Sequence, residues 1–141
     1  MSKSEFDLDT FLPYRLSLLA NTVSKALEPA YATYALTRTQ WRVMAVLSSG
    51  EATAQYICQK TLMDKTTISR AVKNLVERGI VKRQPAYSDG RMSPLAFTAK
   101  GRQVFEQIVP TARTFETTLK QKLTQDQLKT LETIITHLLK L

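Results

Sequence analysis

The fold is decided by residues 53–79, whose sequence is TAQYICQKTLMDKTTISRAVKNLVERG. Thr53 is a suitable N-cap for a short helix over residues 54–61. Residues 62–65 then predict a turn, and a second helix is predicted from 66 to 78. Two helices joined by so short a turn indicate a helix-turn-helix.

The second of these helices has two contrasting faces. Its apolar residues Ile68, Val72 and Leu75 recur at steps of four and three, which is typical of a helix with one buried side. Gly79 follows, and glycine is the usual residue just past a helix end. The outward face is polar and consists of Thr66, Thr67, Ser69, Arg70, Lys73 and Asn74.

A β-hairpin is predicted directly after this helix. Residues 80–84 have the β-branched content and the alternation of a strand, and Asp89-Gly90 is a hairpin turn signal. Residues 92–98 are the predicted return strand, which Pro94 should confine to an edge or bulge. The pattern as a whole predicts a winged helix-turn-helix, in a mainly α-helical chain with a small β-hairpin wing.

The helix before this unit has a strong start signal. Thr37 and Gln40 have the spacing of a capping box, and Leu36 and Trp41 have that of a hydrophobic staple. We expect this helix to end at residues 48–50, Ser-Ser-Gly.

An amphipathic helix is predicted at the N-terminal end of the chain. Asp9 or Thr10 can cap it, and Pro29 should kink or end it near Glu28. Its apolar residues repeat roughly every 3.5 positions, as in a helix that packs along a partner helix. They are Leu12, Leu16, Leu19, Val23, Ala26 and Ala30.

Two more helices are predicted after the hairpin. The first is long and is kinked at Pro110, and Thr124 caps the second. The repeat that marks the first consists of Val104, Ile108, Thr111, Phe115 and Leu119, and the face of the second consists of Leu128, Leu131, Ile135 and Leu138.

One small core cannot cover all these apolar faces, and exposed patches that large are rare on monomers. We therefore expect an obligate homodimer. The predicted organisation is a single domain over 1–141, with a winged helix-turn-helix lobe at 36–101 and dimerisation helices at 9–30 and 102–141.

The positive charge is concentrated in the middle of the chain. The net charge is +8, from 20 Lys and Arg against 12 Asp and Glu. Residues 36–102 account for a net +8, whereas 1–35 carry −1 and 103–141 carry +1. Such asymmetry indicates a surface that binds a polyanion.

Residue content argues against several function classes. The single cysteine, Cys58, rules out a disulfide framework and a thiolate metal cluster, and His137 is the single histidine. No phosphate loop, dinucleotide fingerprint or nucleophile–base pair is visible, so we predict neither an enzyme nor a cofactor. The acidic N-terminus lacks the apolar segment of a signal peptide, and no run reaches the ~18 apolar residues of a membrane span. We expect a cytoplasmic protein without a membrane partner.

The polar face of the second helix suits the major groove of double-stranded DNA, which is about 12 Å wide. Arg70 and Lys73 can reach phosphates or guanine edges, and the hydroxyl and amide side chains beside them can donate or accept. Thr66 and Thr67 lie in the first turn, where free backbone N–H groups favour a phosphate oxygen.

The predicted hairpin extends this surface. Lys82 and Arg83 lie on its first strand, and Arg91 lies at its tip. An arginine on a thin hairpin can enter the minor groove, where narrow A·T tracts concentrate negative potential.

Three blocks of sequence resemble the MarR family of bacterial transcriptional regulators. The first is LTRTQWRV at 36–43, and the second is DKTTISR at 64–70, followed by Leu75 and Gly79. The third is DGR at 89–91, followed by Leu95 and by TAKG at 98–101. The ordered set covers about 36–101, and the flanking helices are similar to the family's in number and length.

The resemblance implies a homodimer whose terminal helices interlock and which places one helix of each subunit in the major groove of a pseudo-palindromic site. It also implies that Asp89 orients Arg91, and that a small aromatic or phenolic ligand relieves repression. The predicted DNA-binding residues are Lys65, Thr66, Thr67, Ser69, Arg70, Lys73, Asn74, Lys82, Arg83, Asp89 and Arg91. No ligand-binding residue is assigned.

Three alternatives stay open beside a ligand-modulated repressor. One is an architectural DNA binder that responds to no ligand. Another is a redox-sensing regulator that uses Cys58, although we expect this side chain to be a buried small hydrophobe. The last is a protein–protein module that uses the winged lobe.

Overall fold

The structure is a computed structural model, and it describes residues 5–85 and 93–141. Within these ranges the chain forms a short 3-10 helix, seven α-helices and a two-stranded antiparallel sheet. The helices are α1 (Leu12–Leu27), α2 (Pro29–Ala32), α3 (Arg38–Leu47), α4 (Ala54–Thr61), α5 (Lys65–Glu77), α6 (Ala99–Lys120) and α7 (Gln125–Leu138). The strands are β1 (Val81–Arg83) and β2 (Leu95–Phe97), and the 3-10 helix is Leu8–Thr10. The predicted fold class, mainly α-helical with a hairpin wing, is confirmed.

Three helices begin where local sequence signals predict. The hydroxyl of Thr37 accepts a hydrogen bond from the Gln40 N–H, and Gln40 Oε1 accepts one from the Thr37 N–H. Thr124 and Gln127 form the same reciprocal pair at the start of α7. Thr53 caps α4 through its side chain. All three caps satisfy backbone donors that the first turn of a helix leaves without partners.

The predicted cap of the first helix is wrong. Asp9 and Thr10 belong to the 3-10 helix, which Asp7 caps by accepting the Asp9 N–H at 3.0 Å. α1 begins only after Phe11, which provides no side-chain cap. The 3-10 turn takes up the residues that the sequence pattern assigned to the helix start.

Pro29 both ends one helix and begins another. α1 stops at Leu27, as predicted, but α2 starts at Pro29. Proline is tolerated at the first position of a helix, because a backbone N–H there would have no intrahelical acceptor. The short helix α2 was not predicted. It packs against α6 and buries Tyr31.

The sheet is shorter than predicted and has an unpredicted addition. Its register pairs Val81 with Phe97, Lys82 with Ala96 and Arg83 with Leu95. Pro94 lies before β2, where its carbonyl accepts the Gln84 N–H at 2.8 Å. Ala52 forms an isolated antiparallel bridge with Leu95 on the other side of β2. The predicted turn at Asp89-Gly90 lies outside the described residues.

The core lies between α3, α4, α5 and the sheet. α5 contributes Ile68, Val72 and Leu75, all at most 2% exposed, so the predicted stripe is confirmed. The core also holds Met44, Leu47, Ile57, Ile80, Leu95 and Ile108. This packing fixes α5 so that its opposite face points outward.

The terminal helices contribute little to that core. The large apolar residues Leu12, Leu16, Leu18 and Leu19 of α1 are exposed, and so are Leu131, Ile134, Ile135 and Leu138 of α7. Within the chain, α1 packs mainly on its sequence neighbours, the 3-10 helix and α2. In the part of the chain that the structure describes, no helix is both long enough and apolar enough to cross a membrane.

Candidate nucleic-acid interface

The N-terminal end of α5 is capped by Asp64. Its Oδ1 accepts the Thr67 N–H, and its Oδ2 accepts the Thr67 hydroxyl, both over 2.8 Å. These hydrogen bonds, the backbone one first, lower the pKa of the Asp64 carboxyl below its ordinary value. The carboxylate is therefore held in its charged form.

Asp64 corrects two details of the sequence interpretation. α5 begins at Lys65, one residue before the predicted start, because Asp64 is its N-cap. The Thr67 N–H was predicted to be free for a phosphate oxygen, but Asp64 already occupies it. The signal that was missed is an Asp three residues before Thr67, which is the spacing of a side-chain cap.

The outward face of α5 is polar and basic. The exposed residues of the predicted set are Lys65, Thr66, Ser69, Arg70, Lys73 and Asn74, whereas Thr67 is half-buried. Among the described residues, the side chains of Arg70 and Lys73 make no hydrogen bond or ion pair. Their charges are thus available to an anion in solution.

Asn74 differs from its neighbours because its side chain already has a partner. The Gln40 Nε2 donates to Asn74 Oδ1 over 2.6 Å and so joins α3 to α5. An Asn that reads adenine uses both its amide oxygen and its amide nitrogen. In Asn74 the oxygen is engaged inside the protein.

The strand β1 extends the basic surface beside α5. α5 and β1 pack against each other, and Lys82 and Arg83 of β1 are exposed. The other two predicted residues of the wing, Asp89 and Arg91, lie outside the described residues. Lys65, Arg70, Lys73, Lys82 and Arg83 therefore bring five positive charges to two adjoining elements.

Cys58 lies in α4, half-buried, and packs against the core. The side chain was expected to be buried, but it is only partly so, because it packs at the edge of the core. The redox alternative for this residue stays open. No group of three His, Cys, Asp or Glu within residues 5–85 and 93–141 is arranged to hold a metal ion.

An apolar groove lies away from this surface, between the two ends of the chain. It has a volume of about 650 Å³ and is bounded by α1, the end of α6 and α7. Leu19, Val23, Leu119, Leu131 and Ile134 form its apolar wall. Leu19, Leu131 and Ile134 also belong to the exposed apolar faces of α1 and α7.

Residues 36–92 match the model of the MarR family. None of the curated proteins compared with the sequence matches it significantly. The structure resembles a MarR/EmrR family transcriptional regulator from Acinetobacter sp. ADP1, with 24% identity over 96% of each chain and a TM-score of 0.86.

Two further solved structures are informative. A MarR mutant from E. coli complexed with operator DNA has 21% identity over 97% of this chain and 99% of its own, with a TM-score of 0.85. A MarR family transcriptional regulator from Silicibacter pomeroyi has 30% identity over 97% of this chain and 93% of its own, with a TM-score of 0.81. The fold is thus that of MarR family transcriptional regulators, and the chain belongs to the MarR family.

Proposed function

We propose that the chain represses transcription as a homodimer bound to a pseudo-palindromic operator. Each protomer inserts α5 into the major groove and its hairpin into the adjacent minor groove. The observation that carries this proposal is the contrast between the two faces of α5. Ile68, Val72 and Leu75 anchor the helix in the core, while Arg70 and Lys73 point outward with no partner in the described part of the chain.

The proposed contacts follow from the chemistry of each side chain. Arg70 reads a base edge, because an arginine fork matches the two acceptors of guanine. Lys65, Lys73, Lys82 and Arg83 neutralise phosphates, and Thr66 and Ser69 donate or accept beside them. Asp89 orients Arg91 at the wing tip. Thr67 and Asn74 act mainly by holding α5 in place, since their side chains already have partners.

The proposed dimer buries the apolar faces of the terminal segments, 9–30 and 102–141. The occupant of the groove between α1 and α7 is a second copy of this chain. Leu19 is 56% exposed and Ile134 is 46% exposed, although both line an apolar groove. Contiguous apolar surface of this kind marks an interface rather than a free monomer surface.

We further propose that a small aromatic or phenolic effector weakens the binding of the protein to its operator. The protein acts in the cytoplasm, where bacterial DNA is located. The resemblance to the family supports the class of effector. A hydroxybenzoate titrated into the protein–operator complex tests it, because an effector must weaken DNA binding by favouring the free state. A reporter gene behind the operator then separates repression from activation.

The DNA surface is tested by titrating operator with the wild type and with Arg70→Ala over a salt series. Loss of the Arg70 contact should weaken binding by about 1–3 kcal/mol and relax base preference at one position of each half-site. Lys129→Ala is the matched control, because it removes one exposed positive charge from α7. Unchanged affinity in Arg70→Ala would move the DNA surface away from α5.

The dimer is tested by sedimentation at micromolar concentration. Leu131→Glu places a charge on the apolar groove and should give monomers. Thr133→Glu, on another face of α7, is the control and should remain dimeric. A monomeric wild type would contradict the proposed assembly.

A further inference from the structure

Arg78 holds the C-terminal end of α5 to a segment outside the helix-turn-helix. Its Nη1 donates to the carbonyl oxygen of Ala35 and its Nη2 to that of Tyr34, both over 2.9 Å. The guanidinium is planar and rigid, so it can donate at once to the carbonyl oxygens of two successive residues in the α2–α3 connection. Hydrogen bonds from a charged donor are stronger than neutral ones.

The same end of α5 is held from a second direction by the start of α6. The Lys100 Nζ donates to the carbonyl oxygen of Arg78 over 3.0 Å. The hydroxyl of Thr98 bonds to the carbonyl oxygen of Gly79. Arg78 is thus the point where the α2–α3 connection, α5 and α6 meet.

Both holding segments lead directly to the terminal helices. The α2–α3 connection continues α1 and α2, and α2 packs on α6. Ala35 has a left-handed backbone with φ of 57°. That conformation is unfavourable for alanine, so its persistence indicates that the surrounding contacts determine it.

We propose that Arg78 is a positioning residue that couples the orientation of α5 to the dimer and so selects operators by half-site spacing. This inference rests on the proposed function. In a dimer, the two copies of α5 must match two half-sites about one DNA turn apart. One added base pair shifts a half-site by about 3.4 Å and rotates it by roughly 35°. The protein can bind an operator with altered spacing more weakly only if α5 is held rigidly relative to the terminal helices.

The test compares operators with the preferred spacing and with one base pair added or removed. We expect the wild type to lose about tenfold in affinity when the spacing changes, a loss typical of a mismatched site. Arg78→Ala should reduce that ratio to about two- or threefold, because the winged lobe that carries α5 is then held less firmly to the α2–α3 connection and can adapt to each spacing. Arg78→Lys keeps the charge but can donate to only one of the two carbonyl oxygens. Its affinity ratio should therefore lie between those of the wild type and Arg78→Ala.

The ratio of two affinities measured on one protein preparation does not depend on the fraction that is folded. The ratio therefore separates an effect on the position of α5 from a loss of folded protein. If Arg78→Ala folds poorly, Arg78→Lys serves as the second variant. Arg102→Gln removes an exposed positive charge from α6 that contacts the Phe97 ring, not the carbonyls of the α2–α3 connection. It should keep the wild-type ratio.

The outcomes are distinguishable. A wild type that binds no operator at any spacing overturns the proposed function and this inference with it. A wild type that prefers one spacing, together with an unchanged ratio in Arg78→Ala and Arg78→Lys, overturns the inference alone. A reduced ratio in both variants, with Arg102→Gln unchanged, supports it.

Discussion

Gln40 and Asn74 form a side-chain hydrogen bond of 2.6 Å that joins α3 to α5. Gln40 is 6% exposed, and its side-chain oxygen also accepts the Thr37 N–H, so one amide serves both the start of α3 and the position of α5. Its buried Nε2 depends on Asn74 for an acceptor. α5 is therefore held in place by a polar contact as well as by the apolar core.

Replacing either partner should show that the two residues act as a pair. Asn74→Ala should lower the free energy of unfolding by about 1–2 kcal/mol, because a buried donor is left without an acceptor. A double-mutant cycle with Gln40→Ala should give a coupling of about 1 kcal/mol in urea denaturation at fixed protein concentration. Lys73→Ala, next along the same exposed face, is the control and should couple to Gln40 by much less. Base preference of the operator complex should be unchanged in Asn74→Ala.

Gly101 is required where α6 passes the backbone of Ile80. A Cβ at this position would overlap the Ile80 carbonyl oxygen, so Gly101→Ala should destabilise the fold by about 1–3 kcal/mol. This outcome is opposite to the gain of about 1 kcal/mol that alanine brings inside an unobstructed helix. Gln103→Ala, exposed on the same turn, should stay within about 0.5 kcal/mol of the wild type. Equal thermal stability of the two variants would contradict the close approach.

Leu62 is strained and exposed at the end of α4. Its backbone is left-handed, with φ of 56°, and the residue is 90% exposed, so little packing offsets the strain. Leu62→Gly should raise the free energy of unfolding by about 0.5–1 kcal/mol, since relief of strain exceeds the added entropy of the unfolded chain. Leu62→Ala keeps a Cβ and should give no such gain. A gain of the same size in both variants would show that the backbone conformation is not the cause.

Asp64 should make the stability of the fold depend on pH in one direction. The pKa of its carboxyl is lower in the folded chain than in the unfolded chain. Its contribution to the free energy of unfolding is therefore complete above the unfolded pKa. The contribution is lost as the pH falls through the folded pKa. Carbon-13 NMR of the carboxyl group measures the folded pKa directly, and urea denaturation at falling pH measures the loss.

Thr67→Val provides the matched variant for this measurement. It removes the hydroxyl that donates to Asp64 Oδ2 and leaves the backbone donor in place. The Asp64 pKa should therefore rise toward its ordinary value without reaching it. An unchanged Asp64 pKa in Thr67→Val would show that the hydroxyl contributes nothing to it.

Features set by neighbouring residues were predictable from the sequence. The capping box of Thr37 and Gln40, the Thr53 cap and the buried stripe of α5 depend on residues within a few positions of each other. The family resemblance rested on blocks that also keep local spacing. The start of α5 was misjudged by one residue, because both Asp64 and the threonines after it are acceptable N-caps.

Features set by distant residues were not predictable in this way. Gln40 and Asn74 are 34 positions apart, and Arg78 and Tyr34 are 44 apart. An exposed polar residue on a predicted DNA-facing helix gives no local sign that its side chain is already bonded elsewhere. The bridge from Ala52 to Leu95 is a single residue pair, too short for any alternation to indicate a strand.

The aromatic packing around Trp41 gives this protein a built-in optical probe. Trp41 stacks between Tyr31 of α2 and Phe105 of α6, with ring centroids 5.8 Å and 5.4 Å away, and it is the single tryptophan of the chain. All indole emission therefore originates at the contact between α2, α3 and α6. A change in that emission reports, without any label, whether the terminal helices and the winged lobe move relative to each other.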